Sequence, residues 1–178
     1  MRDEWKQAIL GEVASASNAQ IPAATSGLPY YGLQHFDPGS PRISRSGDSA
    51  TIEGAGVTVL PGDVLFSKLR PYLNKVAVSE ERGVASTEVL VYRPSTAALS
   101  ASYLALLLRD ARAIEFAVAR SAGSRMPRTS AAAMADFPIT IPPLDAQRRI
   151  VNLIAAADEA VEAAESESET AAAAPSAF

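Results

Sequence analysis

The chain has 178 residues, 48% of them hydrophobic and 20% charged, which is typical of one soluble globular domain. It has no cysteine, which excludes disulfides, thiolate catalysis and cysteine-bound zinc. The longest strongly apolar run, 103–108, is far shorter than a membrane span, and the acidic N-terminus is unlike a secretory signal. A cytoplasmic location is therefore expected.

The net charge of −4 is unevenly distributed. Residues 1–144 hold 13 acids and 14 bases, whereas residues 145–178 hold seven acids and two bases. A near-neutral body neither supports nor excludes nucleic-acid binding, because phosphate contacts need only a local basic cluster. The position of the bases therefore matters more than the total.

In chain order, the pattern predicts a mixed α/β fold of short, mostly antiparallel strands. Residues 5–13 predict a short strand or turn, and residues 14–29, rich in Ala, Ser, Asn and Pro, predict a loop. Runs of β-branched or large apolar residues between Gly and Pro predict further strands at 30–33, 57–60, 64–67, 75–78, 88–92 and 137–141. Helices are predicted from Ser100 or Ser102 to 108, over 111–120 and over 130–135.

A final helix is predicted to begin at Pro143 or Leu144, where proline and a following acid suit a first turn. Its apolar residues recur in steps of 4, 3, 4 and 3, which is a short heptad seam: Ile150, Ile154, Ala157, Val161 and Ala164. The seam is expected either to bind a partner helix or to pack on its own domain. The predicted organisation is a domain over 1–142, a helix over 143–165 and a disordered tail over 166–178.

Catalytic patterns do not assemble in this sequence. His35 is the one histidine, and no serine lies in a Gly-x-Ser-x-Gly turn. The run from Asp63 to Lys68 resembles half of a nuclease pattern, but it lacks the second carboxylate that would hold a metal. We therefore predict a non-catalytic chain without a metal site.

Basic segments are the stronger functional signal. Two of them, 68–75 and 120–129, contain several bases, nearby hydroxyls and no acid. Arginine and hydroxyl groups on loops suit phosphate and base-edge contacts, although ordinary solvated loop charge is the alternative. The predicted DNA-binding residues are Arg42, Arg45, Ser67, Lys68, Arg70, Tyr72, Lys75, Ser121, Ser124, Arg125, Arg128 and Thr129.

Four segments, taken in order, resemble one known family. They are WKQAILGEV (5–13), YYGLQHFDPGSPRI (30–43), GDVLFSKLRPYLNKVAV (62–78) and STEVLVYRP (86–94). A fifth, ARSAGSRMPRTSAAAMADFPITIPPLDAQRRIVNLI (119–154), has the Gly-Ser turn, the Pro-Pro-Leu and the acid-x-Gln. Together they resemble the specificity subunits of type I restriction-modification systems, although Asp145-Ala146-Gln147 stands where the family usually has Glu-Gln.

The resemblance implies a target-recognition domain that reads one half of a split double-stranded DNA site. The helix that follows would dock an adenine-N6 methyltransferase subunit, and the wider complex would include a restriction subunit. S-adenosylmethionine, ATP and Mg²⁺ would belong to those partners, with no cofactor in this chain. The alternative is a relative that has lost DNA binding and acts as an assembly module.

The usual family chain has two recognition domains and two long helices, whereas one of each is evident here. Two arrangements are left open. In the first, the chain pairs with itself as a homodimer and reads a two-fold symmetric target. In the second, its helix serves a different partner.

Overall fold

The structure is a computed structural model that describes residues 5–22, 24, 27–43 and 46–173, without the side chains of 51, 162 and 165–173. Its strands are β1 (Lys6–Ile9), β2 (Ala14–Ala16), β3 (Gln20–Pro22), β4 (Pro29–Tyr31), β5 (Gly47–Asp48), β6 (Ala55–Val59), β7 (Val64–Ser67), β8 (Val76–Val78), β9 (Gly83–Ser86), β10 (Val89–Pro94) and β11 (Pro138–Ile141). Its α-helices are α1 (Leu10–Val13), α2 (Ala101–Arg109), α3 (Ala111–Ala119), α4 (Ala131–Met134) and α5 (Leu144–Ala173).

These strands form three sheets, with strand orders β1-β11, β2-β10-β7-β8 and β3-β6-β9-β4-β5. Within the described part of the chain, every strand pair is antiparallel except β4 with β9. The predicted mixed α/β fold with mostly antiparallel strands and a C-terminal helix is therefore confirmed.

The main core lies between the four-stranded sheet and α2. Ser100 caps α2 by accepting a hydrogen bond from the Tyr103 amide at 3.3 Å, which satisfies one of the free N–H groups of the first turn. Leu104 and Leu108, four residues apart, then face the sheet and pack on Phe66 of β7, and all three are at most 1% exposed. This packing fixes the strand whose far end carries the first basic segment.

Residues 14–29 were predicted to be a loop, but they contain β2 and β3, so that prediction is wrong. Their side chains are small or polar and give little strand signal. Their backbone groups nevertheless extend the sheets, because Ser17 N–H donates to Val91 C=O at 2.7 Å and Thr58 N–H donates to Ala19 C=O at 2.9 Å.

The last helix, α5, begins at Leu144 within the predicted limits. It continues to Ala173, beyond the predicted end at 165, through a segment that the sequence favoured as disordered. Ala and Glu have high helix propensity, which explains the extension, and residues 174–178 lie outside the described part of the chain. No helix among the described residues is long and apolar enough to cross a membrane.

Candidate nucleic-acid interface

The two predicted basic segments lie side by side at the end of β7. Arg70 N–H donates to Pro127 C=O at 2.8 Å, and Thr129 N–H donates to Lys68 C=O at 3.0 Å. Leu69 and Arg128 form an antiparallel bridge. Residues that are about sixty positions apart in sequence thus form one surface, and we call 68–75 together with 121–129 the basic surface.

The first segment has a constrained backbone. Arg70 and Asn74 have φ angles of 50° and 49°, in the left-handed region that non-glycine residues rarely adopt. They flank a 3-10 helix, Pro71–Leu73, in which Tyr72 is 52% exposed. The Asn74 side chain is anchored because its Nδ2 donates to Arg109 C=O at 3.0 Å. This backbone presents Arg70 and Tyr72 to solvent.

The second segment is a small hairpin. Ala122 and Arg128 exchange two backbone hydrogen bonds of 2.9 Å, and Gly123 makes the turn possible with a φ of 91°. Ser124, Arg125 and Met126 are exposed at its tip. The tip of the hairpin therefore exposes one arginine, a hydroxyl and an apolar side chain. The residues that follow this tip are hydrogen-bonded to the first segment.

One acid approaches the basic surface. Glu88 Oε2 accepts a hydrogen bond from Arg128 Nε at 3.0 Å, and the two side chains are 29% and 45% exposed. The backbone C=O of Glu88 accepts from Lys68 N–H at 3.0 Å, which places this acid beside both segments. This pairing could not be predicted from the sequence, because Glu88 lies 40 residues from Arg128 in the chain.

Four predicted DNA-binding residues have side chains that are buried or hydrogen-bonded to the protein's own backbone. Ser67 is 3% exposed and its hydroxyl donates to Leu69 C=O at 2.8 Å. Lys75 Nζ donates to Leu33 C=O at 2.7 Å, and the Ser121 hydroxyl donates to Ala117 C=O at 2.8 Å. Thr129 is 4% exposed. The other predicted residues of the basic surface are the half-buried Lys68 and the exposed Arg70, Tyr72, Ser124, Arg125 and Arg128.

Arg42 lies next to the last helix rather than on the basic surface. Its Nη2 is 3.5 Å from Glu159 Oε1, with both side chains more than 60% exposed. Arg45, predicted together with it, lies outside the described residues. Arg42 therefore lies beside α5, and an ion pair as exposed as this one adds little to stability.

The start of α5 is fixed by a buried glutamine. Gln147 is fully buried, and its Oε1 accepts from Ser100 N–H at 2.9 Å while its Nε2 donates to Ala98 C=O and Pro142 C=O at 2.6 and 2.8 Å. All its side-chain partners are backbone groups. This is the glutamine of the acid-x-Gln motif, so the sequence marked the position without revealing its role.

Along α5, the predicted seam divides between two environments. Ile150 is half-buried and packs on the core of its own domain, with Val151 beside it. Farther along, Asp158 Oδ2 accepts from Arg109 Nη2 at 3.1 Å, and the same Nη2 group donates to Gly39 C=O at 2.7 Å. The exposed apolar stripe of α5 consists of Leu153, Ala157, Val161 and Ala164.

Asp63, the acid of the weak nuclease pattern, has a structural role. It is 1% exposed and accepts from Leu60 N–H at 2.8 Å, and from Nε and Nη2 of Arg93 at 2.7 Å each. These hydrogen bonds raise the pKa of the Arg93 guanidinium. Within residues 5–22, 24, 27–43 and 46–173, no group of three or more acids or histidines is placed to hold a metal ion.

The chain is a specificity domain, because the family model of the type I restriction modification DNA specificity domain matches residues 2–170. The chain therefore belongs to this family. No curated protein sequence matches it significantly.

Solved structures of specificity subunits have a similar fold. The HsdS subunit from Thermoanaerobacter tengcongensis superposes with a TM-score of 0.78 and 22% identity, over 94% of this chain and 45% of that one. A structure described as explaining complex assembly and conformational transition of the type I R-M system gives 0.79 and 22%, over the same shares. The type I S subunit from M. genitalium gives 0.60 and 11%, over 91% and 41%. The chain thus spans less than half the length of these structures.

Proposed function

We propose that this chain recognises DNA sequence for a type I restriction-modification complex and directs a partner adenine-N6 methyltransferase to one half of a bipartite target. The observation that carries this proposal is the convergence of two basic segments, far apart in sequence, on one surface. The surface carries Lys68, Arg70, Arg125 and Arg128, its two segments contain no acid, and Glu88 pairs with Arg128. Local positive charge of this kind supplies phosphate contacts even when the whole chain is acidic.

Under this proposal the chain performs no chemistry. Methyl transfer with S-adenosylmethionine, and cleavage with ATP and Mg²⁺, belong to the methyltransferase and restriction subunits. The isolated chain is expected to show no nuclease or methyltransferase activity when it is supplied with metal and S-adenosylmethionine.

The helix α5 is proposed as the partner-binding element. Leu153 is 70% exposed and Val161 is 56% exposed, which is unusual for large apolar residues on a well-formed helix. The helix has Arg148 and Arg149 near its start, and every charged residue from Asp158 onward is an acid. An antiparallel second copy of α5 would place bases against acids, whereas a parallel copy would place acids against acids.

The decisive experiment maps methylated adenines across the host genome with and without this gene. A methylated motif that disappears with the gene is the expected result. The variants Lys68→Ala and Arg125→Ala should weaken binding to the motif, each lowering the salt slope of binding by about one unit if it contacts a phosphate. If both leave specific binding unchanged, the basic surface is not the DNA interface.

An unchanged methylome would overturn the proposed function. If the chain then still co-purified with a methyltransferase, the second candidate, an assembly module without DNA binding, would be favoured. The acidic C-terminal segment, 145–178, is the observation that supports this candidate.

A further inference from the structure

The arginines of the basic surface differ in how firmly they are held. Arg70 and Arg125 are exposed, and no residue in the described part of the chain forms an ion pair or side-chain hydrogen bond with either. Arg128 is held at both ends. Its backbone makes two hydrogen bonds with Ala122, and its Nε donates to Glu88 Oε2 at 3.0 Å.

This contact leaves a particular edge of the guanidinium available. With Nε occupied, the two terminal Nη groups remain, and they form no hydrogen bond with any residue that the structure describes. The two Nη groups form a planar pair of parallel donors. Guanine presents a matching pair of acceptors, O6 and N7, in the major groove.

The charge of Glu88 decides between a base and a phosphate as the ligand. A phosphate bound to Arg128 would lie close to the Glu88 carboxylate, and the two negative charges would repel each other. Guanine O6 and N7 are acceptors on a neutral group and carry no such penalty. A fixed arginine also loses less conformational entropy on binding, which favours a contact that requires one orientation.

We infer that Arg128, oriented by Glu88, reads a guanine in the major groove of the DNA target, whereas Arg70 and Arg125 contact phosphates. This inference rests on the proposed function and adds to it a division of labour among the arginines. Glu88 is a positioning residue, because it acts through Arg128 and needs no contact with DNA.

To test this inference, duplexes that the purified native complex binds are selected from a random-sequence library. The complex with the wild-type chain is compared with those that carry Arg128→Lys, Arg128→Ala, Glu88→Ala and Arg125→Ala. Circular dichroism melting verifies that each variant is folded. Lysine keeps the charge but loses the paired donors. Arg128→Lys should therefore relax one G·C position of the selected motif, lowering discrimination there about 5- to 140-fold (about 1–3 kcal/mol at 1.4 kcal/mol per factor of ten). Its salt slope should match that of wild type.

Two further variants distinguish base recognition by Arg128 from a purely structural role of the Arg128–Glu88 ion pair. Glu88→Ala should lower discrimination at the same G·C position while raising affinity for unrelated duplexes, because it removes a negative charge near DNA. Arg125→Ala should weaken binding to every duplex and lower the salt slope by about one unit without changing the motif. A structural pair would instead make Glu88→Ala and Arg128→Ala weaken binding to all duplexes alike.

The inference is overturned if wild type selects a motif and Arg128→Lys and Arg128→Ala select the same motif with unchanged discrimination at every position. It is also overturned if these variants lose affinity uniformly and Arg128→Ala lowers the salt slope as Arg125→Ala does. If wild type itself selects no motif, the proposed function has failed, and this outcome is distinct from the other two.

Discussion

At the scale of single residues, the most informative side chains are those whose hydrogen bonds are already used. Lys75 and Ser67 look like ligand-binding residues in the sequence, since each lies in a basic, acid-free segment. In the structure their polar atoms donate to backbone carbonyls of Leu33 and Leu69. Residue type and local charge cannot distinguish these two uses, because the acceptor of Lys75 lies 42 residues away in the chain.

Asp63 is expected to stabilise the folded protein. Replacing it with alanine removes three hydrogen bonds, two of them to a guanidinium, and leaves Leu60 N–H unpaired. Arg93 is 44% exposed and recovers part of its hydration, so the expected loss of unfolding free energy is about 2–3 kcal/mol. Urea denaturation measures it. The exposed Asp136→Ala is the control and should change stability by less than about 0.5 kcal/mol; equal effects of the two variants would contradict the structural role of Asp63.

At the scale of elements, Arg109 at the end of α2 connects three parts of the molecule. Its side chain bonds Gly39 C=O and Asp158, and its backbone C=O accepts from Asn74 of the basic surface. Gly39 N–H in turn donates to Asn74 C=O at 3.0 Å. The direction of α5 is thus connected to the first basic segment through a continuous set of hydrogen bonds.

This connection predicts that Asp158→Ala loosens α5 beyond Ile154. The lost ion pair is partly buried and should contribute about 1 kcal/mol, which changes the population of the docked helix about fivefold. Because the chain has no cysteine, cysteines introduced at exposed Ala119 and Ala164 can carry the only two spin labels. Pulsed electron paramagnetic resonance should show a broader distance distribution. The control Asp145→Ala, which loses an exposed contact of 3.7 Å, should leave it unchanged, and an equally narrow distribution for Asp158→Ala would contradict the connection.

Elements with a strong apolar pattern could be predicted from the sequence, and weakly patterned ones could not. The strand predicted over 64–67 and the start of the last helix were correct, because a run of large apolar residues and a Pro-Pro-Leu start are local signals. β9 was missed although Val84 and Ala85 are fully buried, since a four-residue strand with Gly and Ser has little intrinsic preference. The basic surface forms through backbone pairing between residues far apart in the chain. The sequence could therefore predict its two segments but not that they lie side by side.

At the scale of the whole molecule, the exposed stripe of α5 predicts self-association. Lysine at both Leu153 and Val161 should weaken it by at least about 3 kcal/mol, or two orders of magnitude in dissociation constant. The reason is that four large apolar side chains, two from each copy, would no longer be buried. Sedimentation equilibrium measures this change. Asn152→Lys, an exposed position beside the stripe, is the charge control. A wild-type chain that stays monomeric at high concentration would contradict the prediction and favour a different partner helix.

The hydrogen bonds of Gln147 determine which parts of the domain can change without moving α5. Its side chain bonds only to the backbone at Ala98, Ser100 and Pro142, and backbone groups are the same whatever side chains a domain carries. Side chains on the loops of the domain can therefore be replaced without removing the hydrogen bonds that set the angle at which the domain meets its helix.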